Sequence, residues 1–126
     1  MIIRTRDLLE ERQDENALVL RRIVRADQHG PNLSVSWARI AGRHRRIVNP
    51  DCDRAYYVIE GSARFQVGDG APVEEAGAGD CVFVPRGTPY EFEGEMTYLV
   101  INGPAFTPGS DRVLPGRLRG EPNAEG

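Results

Sequence analysis

The sequence predicts an all-β fold, an antiparallel barrel built from two facing sheets. Two observations carry this. In several short segments apolar residues recur at every second position, the period of half-buried strands. Between them, glycine, proline, asparagine and aspartate mark turns at close spacing. A chain of 126 residues is long enough to bury a core as a single domain. The expected core covers about 17–103, with a short arm before it and an irregular tail over 104–126.

The elements follow in order. Thr5 to Arg12, with Leu8 and Leu9 among charges, is expected as a short helix in the arm. "ALVLRRIV", Ala17 to Val24, is rich in β-branched residues and reads as a strand. "DQHGPN" is turn chemistry. "LSVSWARIAG" alternates and gives a strand over 33–41, broken after it by "VNPDCD". The stretch from Ala55 to Gly70 reads as two strands, 55–60 and 63–68, joined by a turn at Glu60-Gly61. Further strands are expected at 81–84, 89–93 and 96–102. The tail, rich in proline and glycine, is expected to wrap the surface and then fray.

Composition excludes several classes of function. The net charge of −3 speaks against nucleic acid and anionic membrane as partners, because phosphate binding needs a basic surface. The run Arg43, His44, Arg45, Arg46 is read as a solvated loop or strand end. The N-terminus reads as too charged for a signal peptide, and no apolar run approaches the ~18 residues of a membrane span. Two cysteines without a leader read as reduced thiols, so the expected compartment is the cytoplasm.

The pattern "YYVIEGSARFQV" followed by "GAGDCVFVPRGTPY" resembles the two sequence motifs of the cupin superfamily, over roughly residues 33 to 103. The resemblance implies a jelly-roll barrel. It lays the closing glycine of the first motif on Gly61, and Gly79, Pro85 and Gly87 on the second. The family's four metal-ligand positions then fall on Ile47, Asn49, Arg54 and Tyr90. Isoleucine cannot ligate, a guanidinium repels a cation, and asparagine and neutral tyrosine are poor ligands. The expectation is therefore no metal and no other cofactor. A rescue by His44, Cys52, Asp53 or Cys81 lacks any recognised ligand spacing. Cys81 reads most simply as a small buried residue and His29 as a surface histidine.

Taking position 54 as inward-facing, as the resemblance implies, side-chain alternation turns Tyr56 and Val58 inward too, and Tyr57 and Ile59 outward. Likewise Tyr90 and Phe92 face in, Glu91 and Glu93 out. An inward arginine needs a partner. Arg54 either awaits an anionic ligand, a carboxylate or phosphate, or pairs at the barrel mouth with Asp51, Asp53 or an acid of a neighbouring subunit. Asn49, Trp37, Phe92 and Val58 are expected to join Arg54 in binding the ligand. Catalysis, if present, would be acid–base chemistry, with Tyr56 or Tyr90 lowered in pKa beside the guanidinium, and His44 as the other proton carrier. Isomerisation, epimerisation, dehydration and cyclisation suit such a site. A second resemblance, to the ectoine synthases, rests on "MIIR" and "NGPAFTPGSD" and favours a lyase or cyclase. A ligand-binding sensor or accessory barrel is the alternative, and a metal-dependent cupin with unusual ligands a second. Outward Tyr57 and Ile59, an edge strand at Ala17–Val24 that needs covering, and the resemblance to small cupins, which pair through such N-terminal strands, lead to the expectation of a homodimer.

Overall fold

The computed structural model describes residues 1–118. Eight strands run antiparallel: β1 Glu11–Gln13, β2 Leu18–Val24, β3 Ser34–Val48, β4 Asp53–Val67, β5 Glu74–Gly77, β6 Cys81–Val84, β7 Tyr90–Gly103 and β8 Arg112–Val113. They make a jelly-roll barrel. The hydrogen-bonded path is β1-β2-β3-β7-β4-β5, with β6 also on β4 and β8 also on β3. Among the described residues no helix is long and apolar enough to cross a membrane.

Three long strands make both sheets, and this differs from the expected hairpins. The segments expected at 55–60 and 63–68 are one strand, β4, and those at 89–93 and 96–102 are one strand, β7. The strand at 33–41 continues through Gly42 to Val48. Gly61, taken for a turn, lies within β4, and with Gly42 and Gly94 it marks where these strands cross and fold over one another. Gly42 pairs with Gly94, which in turn pairs with Ala63. A Cβ on Gly94 would run into Ser62 O and lie 2.6 Å from Ala63 Cα. A Cβ on Gly61, at φ +80°, would run into Glu95 O. Only glycine allows that approach and that backbone. The register also slips between Val58 and Glu60, a bulge that bends β4 there.

The N-terminal half of β3, the C-terminal half of β7 and the N-terminal half of β4 thus form one sheet with β1, β2 and β6. The remaining halves form the other with β5 and β8. Phe92 is fully buried between the sheets, with the rings of Phe65 at 4.6 Å and Tyr56 at 5.1 Å. Val58, Ile40, Met96 and Tyr98 complete that layer.

Other expectations need correction. In place of the helix expected over Thr5 to Arg12 there is a 3-10 turn at Thr5–Asp7 and a strand, Glu11–Gln13, laid on β2, with a second 3-10 turn at Asp14–Asn16. "DQHGPN" begins as a helical turn, α1, Ala26–His29. The Arg43–Arg46 run lies within β3, with His44 and Arg46 buried. Cys81 is exposed, while Cys52 is buried. Glu91 faces away from Tyr90 as parity requires, but it is fully buried. The fraying expected of the tail lies at its end, over 119–126, outside the described residues.

Candidate functional site

Small residues make room for a cavity at one end of the barrel. Ser34, Ser36 and Ala38 of β3 face inward beside Leu18 and Leu20 of β2, and a void of about 710 Å³ opens over them. That is the size of a small-molecule site. Its far wall carries the polar groups Arg54, Tyr56, Tyr98 and Asn102, with His44 beside them. Its roof is the tail, through Phe106 and Asp111.

Arg54 is buried and every arm of its guanidinium is used. Nε donates to Asn102 Oδ1 at 2.5 Å, Nη1 to Tyr90 Oη at 2.6 Å and Nη2 to Asp111 Oδ1 at 3.2 Å. The Phe106 ring lies 5.6 Å from its centre. Its partner acid is thus Asp111 of the tail, not Asp51 or Asp53. Asp53 instead binds Arg86.

The two tyrosines extend this arrangement into a directed relay. Tyr90 Oη accepts from Arg54 and lies 2.5 Å from Tyr56 Oη. Tyr90 is buried off the cavity, whereas Tyr56 lines it. If Tyr56 donated to Tyr90, the Tyr90 proton would have no acceptor among the described residues. Satisfying every group therefore sets Tyr90 donating to Tyr56, and Tyr56 donating into the cavity. Polarised by Arg54 through Tyr90, that terminal O–H is a strong donor. The expected lowering of the tyrosine pKa values is reversed. Burial pushes both up and outweighs the pull of Arg54. They are neutral donors, not phenolate bases.

His44 supplies the complementary acceptor. Its Nδ1–H donates to Arg45 O at 2.7 Å, which fixes the tautomer and leaves the Nε2 lone pair without a partner among the described residues. Its ring stacks on Phe92 at 4.7 Å, and Tyr56 packs on the same ring at 5.1 Å. Base and donor thus pack on one ring and line the same cavity. Burial pushes the imidazole down to about 4, although the Arg45 hydrogen bond and Asp111 act the other way. Below pH 6.5 the unfolded chain thus takes up a proton that the folded chain refuses. Stability is expected to fall by up to about 3 kcal/mol as pH drops from 6.5 towards 4. Urea melts of the wild type and His44→Gln across that window check this, since the variant should lack that part of the slope.

The other expected ligand contacts fall elsewhere. Trp37 lies on the outer face of β3, between Arg21 and Arg39, each 5.7 Å from its ring. Phe92 and Val58 are sealed in the core beneath the cavity. Asn49 is committed within the protein: Nδ2 donates to Ser110 Oγ at 3.0 Å and Asp111 Oδ1 at 2.9 Å, and its Oδ1 accepts the N–H of Asp51 and Cys52. It holds Asp111 in place rather than a ligand. Asp111, Tyr98 and Asn102 were not anticipated. Tyr98 and Asn102 share an inward parity on β7 that alternation reveals, whereas Asp111 sits in "TPGSD", where no period applies.

The four positions that carry a metal in most cupins do not fit one here. Ile47 is core, Asn49 serves the tail, Arg54 places a cation at the centre and Tyr90 accepts from that cation. Among the described residues no three His, Cys, Asp or Glu side chains converge. A chelator is therefore expected to leave the melting temperature unchanged. A drop on chelation, restored by a stoichiometric metal, would refute this.

A family model for the cupin domain matches residues 41–102. No curated protein sequence matches significantly. Among solved structures, Streptomyces Pac13 bearing a Tyr→Phe substitution, with uridine, superposes at TM-score 0.78, 22% identity, over 91% of this chain and 90% of that one. Pac13 is described as a nucleoside dehydratase. The polyketide cyclase RemF from Streptomyces resistomycificus gives TM-score 0.74 at 20% identity, over 90% of this chain and 84% of that one. A variant of oxalate decarboxylase from Bacillus subtilis gives 0.74 at 20% identity, over 87% of this chain but 31% of that one. These likenesses are of fold. Taken with the family match and the barrel itself, they place the chain in the cupin superfamily.

Proposed function

We propose that this cupin is a metal-independent acid–base enzyme, a lyase or isomerase acting on an uncharged, hydroxyl-bearing small molecule. The observation that carries the reading is the pairing, in one cavity, of a neutral His44 with a free Nε2 and a Tyr56 O–H backed by Tyr90 and Arg54. His44 takes a proton from a carbon next to a carbonyl. The electron pair moves onto the carbonyl oxygen, which Tyr56 stabilises by hydrogen bonding. Returning the proton at another position isomerises the substrate. Delivering it from His44 to a β-hydroxyl releases water and leaves a conjugated alkene.

The ligand is taken as uncharged because Asp111 already balances Arg54. The expectation of an anion rested on an arginine lacking a protein carboxylate. The comparisons support the chemistry. Neither dehydratase nor cyclase denotes an oxidation, and structures of Pac13 with uridine include a His→Gln variant and a second Tyr→Phe variant, the same residue types found at this site. The test is incubation in D₂O with a panel of neutral β-hydroxy carbonyl compounds, sugars and nucleoside derivatives among them. Solvent deuterium should appear on carbon, with ultraviolet absorbance where water is lost. Ligands that bind without either would convert the reading to a binding module.

We also propose that the protein pairs with a second copy through the outer face of β3, β7, β4 and β6. Two rows cross it: Val35, Ile101, Ala55, Phe83 and Trp37, Leu99, Tyr57, Cys81. Phe83 is 58% exposed and Tyr57 43%, so large apolar side chains face outward in both rows, as an interface between copies would use them. The next row carries Arg39 at one side and Glu60 at the other. A twofold axis along the strands then sets Arg39 of one copy against Glu60 of the other. Light scattering should give about twice the 14.0 kDa chain mass, and Phe83→Glu should halve it. A wild-type monomer at micromolar concentration would end this proposal.

A further inference from the structure

Glu91 is a fully buried carboxylate that the cavity does not use. It lies on the opposite face of β7 from Tyr90 and Phe92, and its oxygens are met by the tail and by arginines. Oε1 accepts the backbone N–H of Arg117 at 2.5 Å and of Leu118 at 2.9 Å. Arg43 donates to Oε2 at 3.3 Å, and Arg46 Nη1 lies 3.6 Å from Oε1. Arg46 is buried too, paired with Asp69 and donating to Gln66. A buried acid so thoroughly bonded to two consecutive amides is an anchor for the chain that carries them.

That chain leads back to the cavity. From Pro104 the tail starts under a hydrogen bond from Ala105 N to Pro31 O and one from Phe106 N to Ser34 Oγ. It lays Phe106 over Arg54 and delivers Asp111 to Arg54 and Asn49. It then pairs with the edge of β3 as β8, where Leu114 N–H donates to Arg46 O at 2.8 Å. It ends on Glu91, with Leu118 buried. Beneath the strap sits Cys52, its Sγ 3.9 Å from Ala105 O.

We propose that Glu91 is a remote positioning residue for the cavity: by clasping Arg117 and Leu118 it holds the strap 104–118, and with it Phe106 and Asp111, closed over Arg54 and His44. Its importance for catalysis rests on the acid–base reading above, but the clasp itself is measurable without a substrate. Glu91→Gln keeps the shape and removes the charge from both amide bonds. Iodoacetamide labelling of Cys52 and diethyl pyrocarbonate modification of His44 should each accelerate about tenfold, from the larger open fraction of the strap. Exposed Cys81 and half-buried His29 of α1, both outside the strap, serve as internal controls and should not change. Amide exchange should rise over 104–118 and stay slow in β4 and β7.

A readout inside the cavity separates positioning from mere stability. His44 is faced by Arg45 on its own strand, Arg54 on β4, Tyr90 on β7 and Asp111 on the strap. Opening removes Asp111, which lowers the imidazole midpoint, but admits water, which raises it. Burial is the larger influence, so the midpoint followed by NMR should move up from about 4, by about one unit. Leu118→Ala, which leaves all the charges in place, should act in the same direction and decides the matter should Glu91→Gln fail to fold. Unchanged Cys52 and His44 rates in a folded variant would overturn the proposal. So would exchange in β4 and β7 that rises in parallel with the strap. Because none of these measurements needs turnover, a failed clasp and a failed acid–base mechanism are told apart.

Discussion

His44→Gln is expected to lower kcat by about 10²–10⁴ on whatever substrate the deuterium-exchange panel identifies, with ligand affinity changed only a few-fold. Glutamine preserves much of the size and can still hydrogen bond, but it cannot take a proton. The wild-type pH profile carries the same signature. With no ligand bound, His44 is neutral above about pH 4 and protonated below it, so under the proposed mechanism kcat/KM should be level through neutrality and fall only in acid. So low a value keeps the base permanently available at the expense of driving force. It therefore suits a proton already made acidic by a carbonyl that Tyr56 grips. Tyr56→Phe removes that grip and should cost about 10²–10³ in kcat without moving the acid limb. A His44→Gln enzyme with wild-type turnover, or a limb near pH 6.5, would remove His44 from the role of base.

The two motifs made the barrel legible because their glycines and prolines answer to backbone geometry. Gly61 was marked correctly as a special position, yet its purpose was misjudged. A local pattern cannot distinguish a turn from a point where a long strand bends across its neighbour, since both demand the same backbone. The site was legible where alternation reached it, so Arg54, Tyr56 and Tyr90 were found on one face. Trp37, expected among the ligand-binding residues, lies on the other face of β3. Here small Ser34, Ser36 and Ala38 face in, which is why a cavity exists at all, and the tryptophan packs outside with two arginines. Asp111 and the burial of Glu91 were beyond reach for a single reason. Both depend on where an irregular tail lies, and neither period nor propensity governs that. The tail also inverted the meaning of Arg54, whose partner could not be sought among the strands.

Arg54→Met is expected to be the most destabilising single change in the cavity, lowering the melting temperature by about 10 °C, or about 3 kcal/mol. Burial works against the Arg54 charge, but its partners more than offset this and hold the guanidinium ionised throughout. At neutral pH the tyrosines among those partners are uncharged, so Asp111 is the counter-ion. Methionine fills the volume and restores the apolar contact with Phe106, yet strands three groups at once: Asn102 Oδ1, Tyr90 Oη and Asp111 Oδ1. Asp111 keeps a side-chain exposure of 29%, so water relieves part of its loss. Asp111→Asn alone takes the counter-charge from a buried cation but keeps an oxygen that can accept from Nη2 and strands no acceptor, so it should be the milder change. The double variant Arg54→Met with Asp111→Asn should be more stable than the sum of the two singles by about 1–2 kcal/mol, because the unpaired carboxylate is gone. Arg54→Lys should recover only part of the loss, since an ammonium cannot span all three acceptors. The opposite outcome belongs to an arginine that waits for a ligand anion. In that case Arg54→Met would leave stability unchanged or raise it, and phosphate or a simple carboxylate would raise the melting temperature of the wild type alone. A thermal-shift series on these four variants and the wild type, with and without those anions, decides whether Arg54 is the keystone of a neutral cavity or the receptor of a charged substrate.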